Sequence, residues 1–86
     1  MKDLERVIKA FANRRRLTIV EYLKRHKEAP VSEIAHEINL SMRATSKHLG
    51  ILFSAEILEK EQRSLQIFYR LASQPKRAIR CLIDLV

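Results

Sequence analysis

The chain has 86 residues, 47% of them hydrophobic and 31% charged, and its 17 Lys and Arg against 10 Asp and Glu leave a formal net charge of +7. This length fits one domain, because domains usually contain roughly 100–150 residues. The positive charge favours a polyanionic partner, nucleic acid before an acidic membrane surface. The alternative is that the basic residues only solubilise the fold.

Several classes of protein are excluded by what the chain lacks. Its single cysteine, Cys81, rules out an intrachain disulfide and a multi-cysteine metal site in one chain. Because the chain has no glycine-rich phosphate loop, nucleophile–base set or paired carboxylates, we expect no enzyme and no cofactor. The N-terminus lacks the apolar stretch of a signal peptide, and no apolar run approaches the roughly 18 residues that span a bilayer. We therefore expect a cytoplasmic protein without a membrane partner.

The first third of the chain predicts two helices. One apolar stripe at i, i+3, i+4 and i+7 indicates a short first helix with Asp3 as its N-cap. This stripe contains Leu4, Val7, Ile8 and Phe11. Asn13 interrupts it, and the second segment, Arg14–Lys24, has apolar residues on more than one face, as in a central core helix. Pro30 then marks a break after a polar stretch.

The next segment predicts a helix-turn-helix. A third helix runs from Ser32, its expected N-cap, to about Ile38. Asn39 follows it and tolerates the left-handed backbone of a tight turn. Ser41 is the expected N-cap of a fourth helix from Met42 to about Ser54. Two helices joined by such a short turn are typical of this motif.

The fourth helix has an inner and an outer face. Thr45, Leu49 and Leu52 point towards the core. The opposite face is short, polar and basic, and consists of Arg43, Ser46, Lys47 and Gly50. Such a face fits the major groove, because small residues allow close approach while Arg and Lys reach guanine edges or phosphates. A merely solvated helix face is the alternative.

The hydrophobic period then changes to two, which predicts a β-hairpin. The two strands are Ile57–Gln62 and Leu65–Leu71, separated by Arg63 and Ser64. A basic hairpin beside a recognition helix can reach the minor groove or the phosphates, and Arg63, supported by Lys60, is the expected contact. A hairpin that only covers the core is the alternative.

The last helix is expected to begin with Pro75 at its first position. It carries a second apolar stripe, formed by Ile79, Leu82, Ile83 and Val86. We expect residues 1–12 and 75–86 to be dimerisation helices, whose two stripes pack together across a homodimer. The two recognition helices would then lie about 34 Å apart and bind a palindromic site. Burial of both stripes inside one subunit is the alternative.

The order of elements and the residues themselves resemble the ArsR family of winged-helix repressors. The matching stretches are VIKAFANRRRLTIVEYL, VSEIAHEINLSMRATSKHLGIL and ILEKEQRSLQIFYRL. The resemblance implies a mainly α winged helix-turn-helix with a small β-hairpin, and a homodimer that binds a palindromic operator, usually as a repressor. It also implies that the recognition helix contacts DNA through Met42, Arg43, Ser46, Lys47 and His48.

The metal-sensing features of that family are missing here. Metal-sensing members carry a cysteine pair near the third helix, where this chain reads Ala29–Glu33, or ligands on the last helix, which offers only Asp84. We therefore expect no metal site, and the sequence identifies no effector. Two alternatives stay open: a protein–protein docking module, which Met42 would suit, and a thiol- or metal-responsive regulator that uses Cys81 or histidines shared between subunits.

Overall fold

The computed structural model describes residues 1–86 and contains five helices and three strands. The helices are α1 (Lys2–Phe11), α2 (Arg14–His26), α3 (Val31–Ile38), α4 (Met42–Ser54) and α5 (Arg77–Leu85). The strands are β1 (Glu28–Pro30), β2 (Leu58–Arg63) and β3 (Gln66–Leu71). The predicted order of helices and hairpin is confirmed. None of the five helices combines the length and the hydropathy that a membrane crossing requires.

Strand β1 was not predicted, so the sheet has three antiparallel strands, in the order β1-β3-β2, where a two-stranded hairpin was expected. Lys27 is the C-cap of α2 and has a positive φ of 65°, which ends the helix. The chain then turns so that Ala29 pairs with Tyr69 of β3. Pro30 can take part because β1 is an edge strand, where a missing N–H costs nothing in the ladder. The hairpin turn lies one residue later than predicted, with Ser64 at φ 58°.

The helix-turn-helix has the predicted turn and one of its two predicted caps. Asn39 adopts the left-handed conformation, with φ 57° and ψ 49°. The Ser41 hydroxyl accepts a hydrogen bond from the Ala44 amide at 3.1 Å and caps α4. The prediction of Ser32 as the cap of α3 is wrong, because α3 already begins at Val31, after the extended Pro30.

Two other predicted helix starts are also wrong. Helix α1 begins at Lys2, so that Asp3 lies inside its first turn. Its carboxylate there still interacts favourably with the positive end of the helix dipole. Helix α5 begins at Arg77 after the extended backbone of Lys76, so Pro75 precedes the helix and is not its first residue.

The predicted inner face of α4 is confirmed. Thr45, Leu49 and Leu52 are fully buried, against Ile34 and Ile38 of α3 and the centre of α2. Ala35 is also buried, and a side chain of its size allows α3 and α4 to approach closely. This packing fixes which side of α4 is left for solvent.

Both apolar stripes of the terminal helices contribute to the core of the chain itself. Val7 and Phe11 of α1 and Ile79 and Ile83 of α5 are buried in one continuous cluster with α2 and α4. A single subunit already covers these four side chains, and their place in a dimer contact stays a prediction.

Candidate nucleic-acid interface

The outer side of α4, which we call the recognition face, consists of Arg43, Ser46, Lys47 and Gly50. The first three are exposed, and Gly50 is partly exposed. Arg43 and Lys47 take part in no ion pair and no side-chain hydrogen bond, so both cations are free to meet a ligand. Such a face has the chemistry that reads guanine edges and phosphates in a major groove.

Gly50 is not required by packing inside the chain. A Cβ added there would find no atom within 4 Å, and its backbone is helical. A glycine in a helix interior costs roughly 1 kcal/mol relative to alanine. The recognition face therefore carries a residue that lowers helix stability and leaves the C-terminal end of the face without a side chain.

An apolar groove adjoins the recognition face. It has a volume of about 300 Å³ and lies between the first turns of α3 and α4 and the tip of the hairpin. Met42 forms one wall and is 54% exposed, and Leu65 at the hairpin tip is 96% exposed. The prediction of Leu65 as the first residue of the second strand is wrong, because Leu65 lies in the turn before β3.

The hairpin of β2 and β3, which we call the wing, holds Arg63 in an ionic cluster on its outer surface. The Arg63 guanidinium donates to both carboxylate oxygens of Glu28, at 2.6 and 2.8 Å, and to Glu61 at 3.1 Å. It also lies 4.6 Å from the centre of the Phe68 ring. The structure therefore does not present Arg63 as the free cation that the sequence predicted at this position.

The carboxylates of this cluster are ionised and balance its guanidinium groups. Hydrogen bonds from Arg63 lower the pKa of Glu28 and of Glu61. The backbone amide and hydroxyl of Ser73, with a smaller contribution from Arg70, lower the pKa of Glu59. Three carboxylates thus face two guanidinium groups, and the outer surface of the wing has no excess of positive charge.

Lys60 lies on the other surface of the wing. Alternation along β2 separates it from Arg63, and its ammonium group lies 4.3 Å from the centre of the Phe53 ring of α4. It makes no ion pair. Lys60 is therefore the free cation of the wing, next to the helix that carries Arg43 and Lys47.

His48 is placed differently from the other residues predicted on α4. It is half-buried at the side of the helix that faces α2, and its Nδ1 atom lies 3.1 Å from Nη1 of Arg16. Burial, followed by the charges of Arg16 and Arg15, lowers the pKa of His48. In the free protein, His48 therefore makes a contact inside the fold, whereas the resemblance implied a contact with DNA.

Part of the positive charge of the chain caps helix ends, a role that the sequence did not predict. Arg15 donates to the carbonyl of Ile38 at the end of α3, and Lys24 donates to the carbonyl of Ile83 in α5 at 3.0 Å. Arg16 donates to carbonyls in the last turn of α1. The last carbonyls of a helix have no partner within it, so these cations stabilise three helix ends.

The terminal helices, with the start of α2, expose apolar side chains to solvent, and we call this surface the terminal-helix face. It comprises Leu4, Ile8, Leu17, Leu82, Leu85 and Val86, each at least partly exposed. Leu4, Ile8, Leu82 and Val86 belong to the predicted dimer stripes. Leu17 and Leu85 were not among the predicted dimer residues, and Leu85 is 81% exposed.

The remaining candidate ligands lie apart. No three His, Cys, Asp or Glu side chains form a group that could hold a metal ion. His26 contacts the Tyr22 carbonyl at 3.1 Å and stacks on the Tyr22 ring, and His36 is exposed on α3. Cys81 is exposed on α5.

A helix-turn-helix with free cations on its second helix, followed by a β-hairpin wing, defines the winged helix-turn-helix class of DNA-binding domains. Within this class, residues 13–60 match the bacterial regulatory proteins of the arsR family, and the chain belongs to that family. The resemblance noted in the sequence is therefore confirmed.

Solved structures of similar fold agree with this assignment. HlyU from Vibrio cholerae superposes with a TM-score of 0.83 at 28% identity, over 98% of this chain and 87% of that one. Mb0332 from Mycobacterium bovis, described as a homodimeric winged helix-turn-helix DNA-binding domain, gives 0.84 at 30% identity, over 98% and 74%. The transcriptional repressor BigR from Xylella fastidiosa gives 0.78 at 27% identity, over 98% and 82%. No protein of curated function matches the sequence.

Proposed function

We propose that this ArsR-family protein is a homodimeric transcription regulator that binds a palindromic double-stranded DNA operator and acts as a repressor. The observation that carries the proposal is the recognition face, where Arg43 and Lys47 stand exposed without any counter-ion. Cations left unpaired on a rigid, capped helix are available to bases and phosphates without first breaking an internal ion pair.

In this proposal α4 lies in the major groove. Arg43 and Ser46, in its first turns, contact base edges, because the N-terminal residues of a recognition helix approach the bases most closely. Lys47 contacts a base or a phosphate, and Met42 offers an apolar surface to a thymine methyl group. Lys60 contacts the DNA backbone from the wing. Arg63 supports the shape of the wing, since its guanidinium is already held by Glu28 and Glu61.

The terminal-helix face is the proposed contact between two copies. Leu85 and Ile8, exposed by 81% and 50%, are its most open members, and an apolar surface of this kind on an 86-residue chain favours a partner. The homodimeric domain of Mb0332 supports the same assembly. A twofold pair separates the two recognition faces by about one turn of duplex, which predicts two inverted half-sites.

Repression follows from simple occupancy of the operator, and BigR, a transcriptional repressor of similar fold, supports this mode of action.

A docking module is the second candidate function, because Met42 and Leu65 line an exposed apolar groove. The two candidates differ in chemistry. DNA binding depends on the free cations, whereas docking would depend on the groove.

The first test compares alanine substitutions in the two cations with a matched control. We expect Arg43→Ala and Lys47→Ala each to weaken binding to the selected operator by about 1–3 kcal/mol when the residue reads a base edge. Arg80→Ala removes one exposed cation from α5 and should leave affinity nearly unchanged. Fluorescence anisotropy at fixed salt measures all three, and equal affinities for all variants would refute the assignment of the recognition face.

The second test separates DNA binding from docking through the dependence of affinity on salt. Each phosphate contact releases counter-ions, so the logarithm of the association constant falls with the logarithm of salt concentration by roughly 0.9 per contact. We expect a steep fall for the wild-type chain and a shallower slope for Lys60→Ala. An affinity independent of salt would contradict the proposal and favour docking.

A further inference from the structure

Arg16 joins three segments of the chain through one side chain. Its Nε donates to the Ala10 carbonyl at 2.6 Å, and its Nη2 donates to the Lys9 carbonyl at 3.3 Å, both in the last turn of α1. Its Nη1 lies 3.1 Å from Nδ1 of His48 on α4. The guanidinium of α2 therefore connects the end of a terminal helix with the side of the proposed recognition helix.

The chemistry of this contact fixes the protonation state of His48. A guanidinium only donates hydrogen bonds, so Nδ1 of His48 has to accept one, and the imidazole must be neutral with its proton on Nε2. In a protonated imidazole both nitrogens carry hydrogen and neither can accept. Protonation of His48 therefore removes this bond and leaves two positive groups in contact.

We propose that Arg16 and His48 are positioning residues for DNA binding, which hold α4 at its angle to α1 through this hydrogen bond and release it when His48 is protonated. The inference rests on the proposed function for its effect on DNA. The contact itself is a property of the free protein. Because α1 also contributes Leu4 and Ile8 to the terminal-helix face, the bond also links the proposed dimer contact to the recognition face.

Among the elements that pack against α4, only α2 brings charges that oppose protonation of His48. Helix α2 presents Arg16 and Arg15, whose charges add to burial in lowering the pKa of His48. Helix α1 approaches through backbone carbonyls, and the Lys9 amine there pairs with Glu5. On β2, Lys60 lies over Phe53.

No carboxylate offsets these charges. In α3, Glu33 accepts from the Tyr22 hydroxyl, and the second acid of that helix, Glu37, is exposed and makes no ion pair. The charges that act on the pKa of His48 are those of Arg16 and Arg15 alone. The neutral imidazole that the hydrogen bond requires is therefore also the form that its surroundings favour.

The sign of the pH effect follows from linkage. The pKa of His48 is lower in the folded chain than the ordinary value of about 6.5, so the native contact is complete above about pH 6.5 and is lost as the pH falls below it. DNA affinity should fall in the same window. The limit is about tenfold per pH unit for each protomer when only the neutral form binds.

The first experiment needs no DNA. Nitrogen-detected NMR of the imidazole rings in the wild-type chain should show His48 as the Nε2–H tautomer, titrating below pH 6.5. Substitution Arg16→Gln removes the charge and should raise the pKa of His48. A ring that holds its proton on Nδ1, or that titrates at or above pH 6.5 in the wild-type chain, would overturn the proposal.

The second experiment measures affinity for the selected operator duplex between pH 7.5 and 5.5 at constant ionic strength. Wild type and the control His36→Asn should both lose affinity on acidification. His48→Asn should bind more tightly than His48→Leu at pH 7.5 and should show no loss of affinity on acidification, because the Asn Oδ1 accepts a bond near the position of Nδ1 and does not titrate. His48→Leu should bind weakly at every pH.

The outcomes separate the possible roles of His48. An affinity that rises on acidification in wild type but not in His48→Asn would show an imidazolium–phosphate contact and overturn the proposal. A wild-type affinity without pH dependence would also overturn it. Failure to bind any duplex at pH 7.5 would count against the proposed function, while the NMR titration would still test the contact between Arg16 and His48.

Discussion

The terminal helices carry two kinds of apolar residue: buried ones that form the core, and exposed ones that are available to a second copy. Substitutions on α5 can test this distinction. Ile83 and Leu85 lie two residues apart on α5, but Ile83 is buried and Leu85 is 81% exposed. We expect Leu85→Glu to give a folded monomer and Ile83→Glu to give an unfolded chain. The second substitution places a carboxylate in the core, where an uncompensated charge is not tolerated.

The expected magnitude follows from the exposed fractions. Complete burial of a Leu or Ile side chain is worth about 1.5–3 kcal/mol, so covering Leu85 and the half-exposed Ile8 contributes about 2–4 kcal/mol per protomer. A twofold dimer uses each residue twice. Loss of Leu85 alone therefore removes about 2–5 kcal/mol from dimer formation, and raises the dissociation constant by a factor of about 30 to several thousand.

Sedimentation velocity over a concentration series measures the dissociation constant, and circular dichroism reports folding in the same samples. Ile8→Glu, on α1, should repeat the result of Leu85→Glu, because both residues belong to the terminal-helix face. Arg80→Glu changes charge on the same helix away from this face and should remain dimeric. A Leu85→Glu chain that stays dimeric, or that unfolds like Ile83→Glu, would refute the division between core and contact residues.

The remaining predictions concern single contacts. Ser41→Ala removes the cap of α4 and should cost about 1 kcal/mol, or about 4–8 °C in Tm, whereas Ser32→Ala should change Tm little; equal shifts by calorimetry would contradict the observed caps. The hydrogen bond to Glu33 raises the pKa of Tyr22 to about 12, so its stabilising effect should be lost between pH 10 and 12. Ultraviolet titration should show this phenol ionising earlier in Glu33→Gln, and an unchanged titration would count against the bond. Arg63→Ala should weaken operator binding less than either substitution on the recognition face, and an equal or larger loss by anisotropy would show that the guanidinium leaves its carboxylates for DNA.

The parts of the fold that depend on local signals were predictable. The inner face of α4 follows from helical spacing, and the turn before it follows from the tolerance of Asn39 for a left-handed backbone and from the capping hydroxyl of Ser41. These signals lie within one turn of the residues they describe. Such local signals therefore suffice to predict the recognition face without any tertiary contact.

The missed features depend on partners far away in the sequence. Strand β1 has only three residues and exists because Ala29 meets Tyr69, 40 positions later. The ion pair of Arg63 was not predictable, because its main partner, Glu28, is 35 residues earlier. No pattern of period two or 3.6 contains such information.

The division of the two apolar stripes into buried and exposed residues, and the capping of helix ends by arginines of α2, were missed for a different reason. Periodicity shows that a helix face is apolar, but it does not show whether the same chain or a second copy covers it, so Val7 and Ile8 could not be distinguished. A local signal did exist for the arginines. Arg14–Arg16 stand in the first turn of α2, where the helix dipole disfavours cations, and such a cost points to contacts elsewhere.

Selection of bound duplexes from a random pool, with the purified chain at a concentration where it is dimeric, tests the central claim most directly. Two recognition faces related by a twofold axis should enrich a sequence with inverted half-sites whose centres lie about 10–10.5 base pairs apart. The double variant Arg43→Ala, Lys47→Ala should enrich nothing under the same conditions. An asymmetric enriched sequence, or the same palindrome recovered by the double variant, would contradict the account.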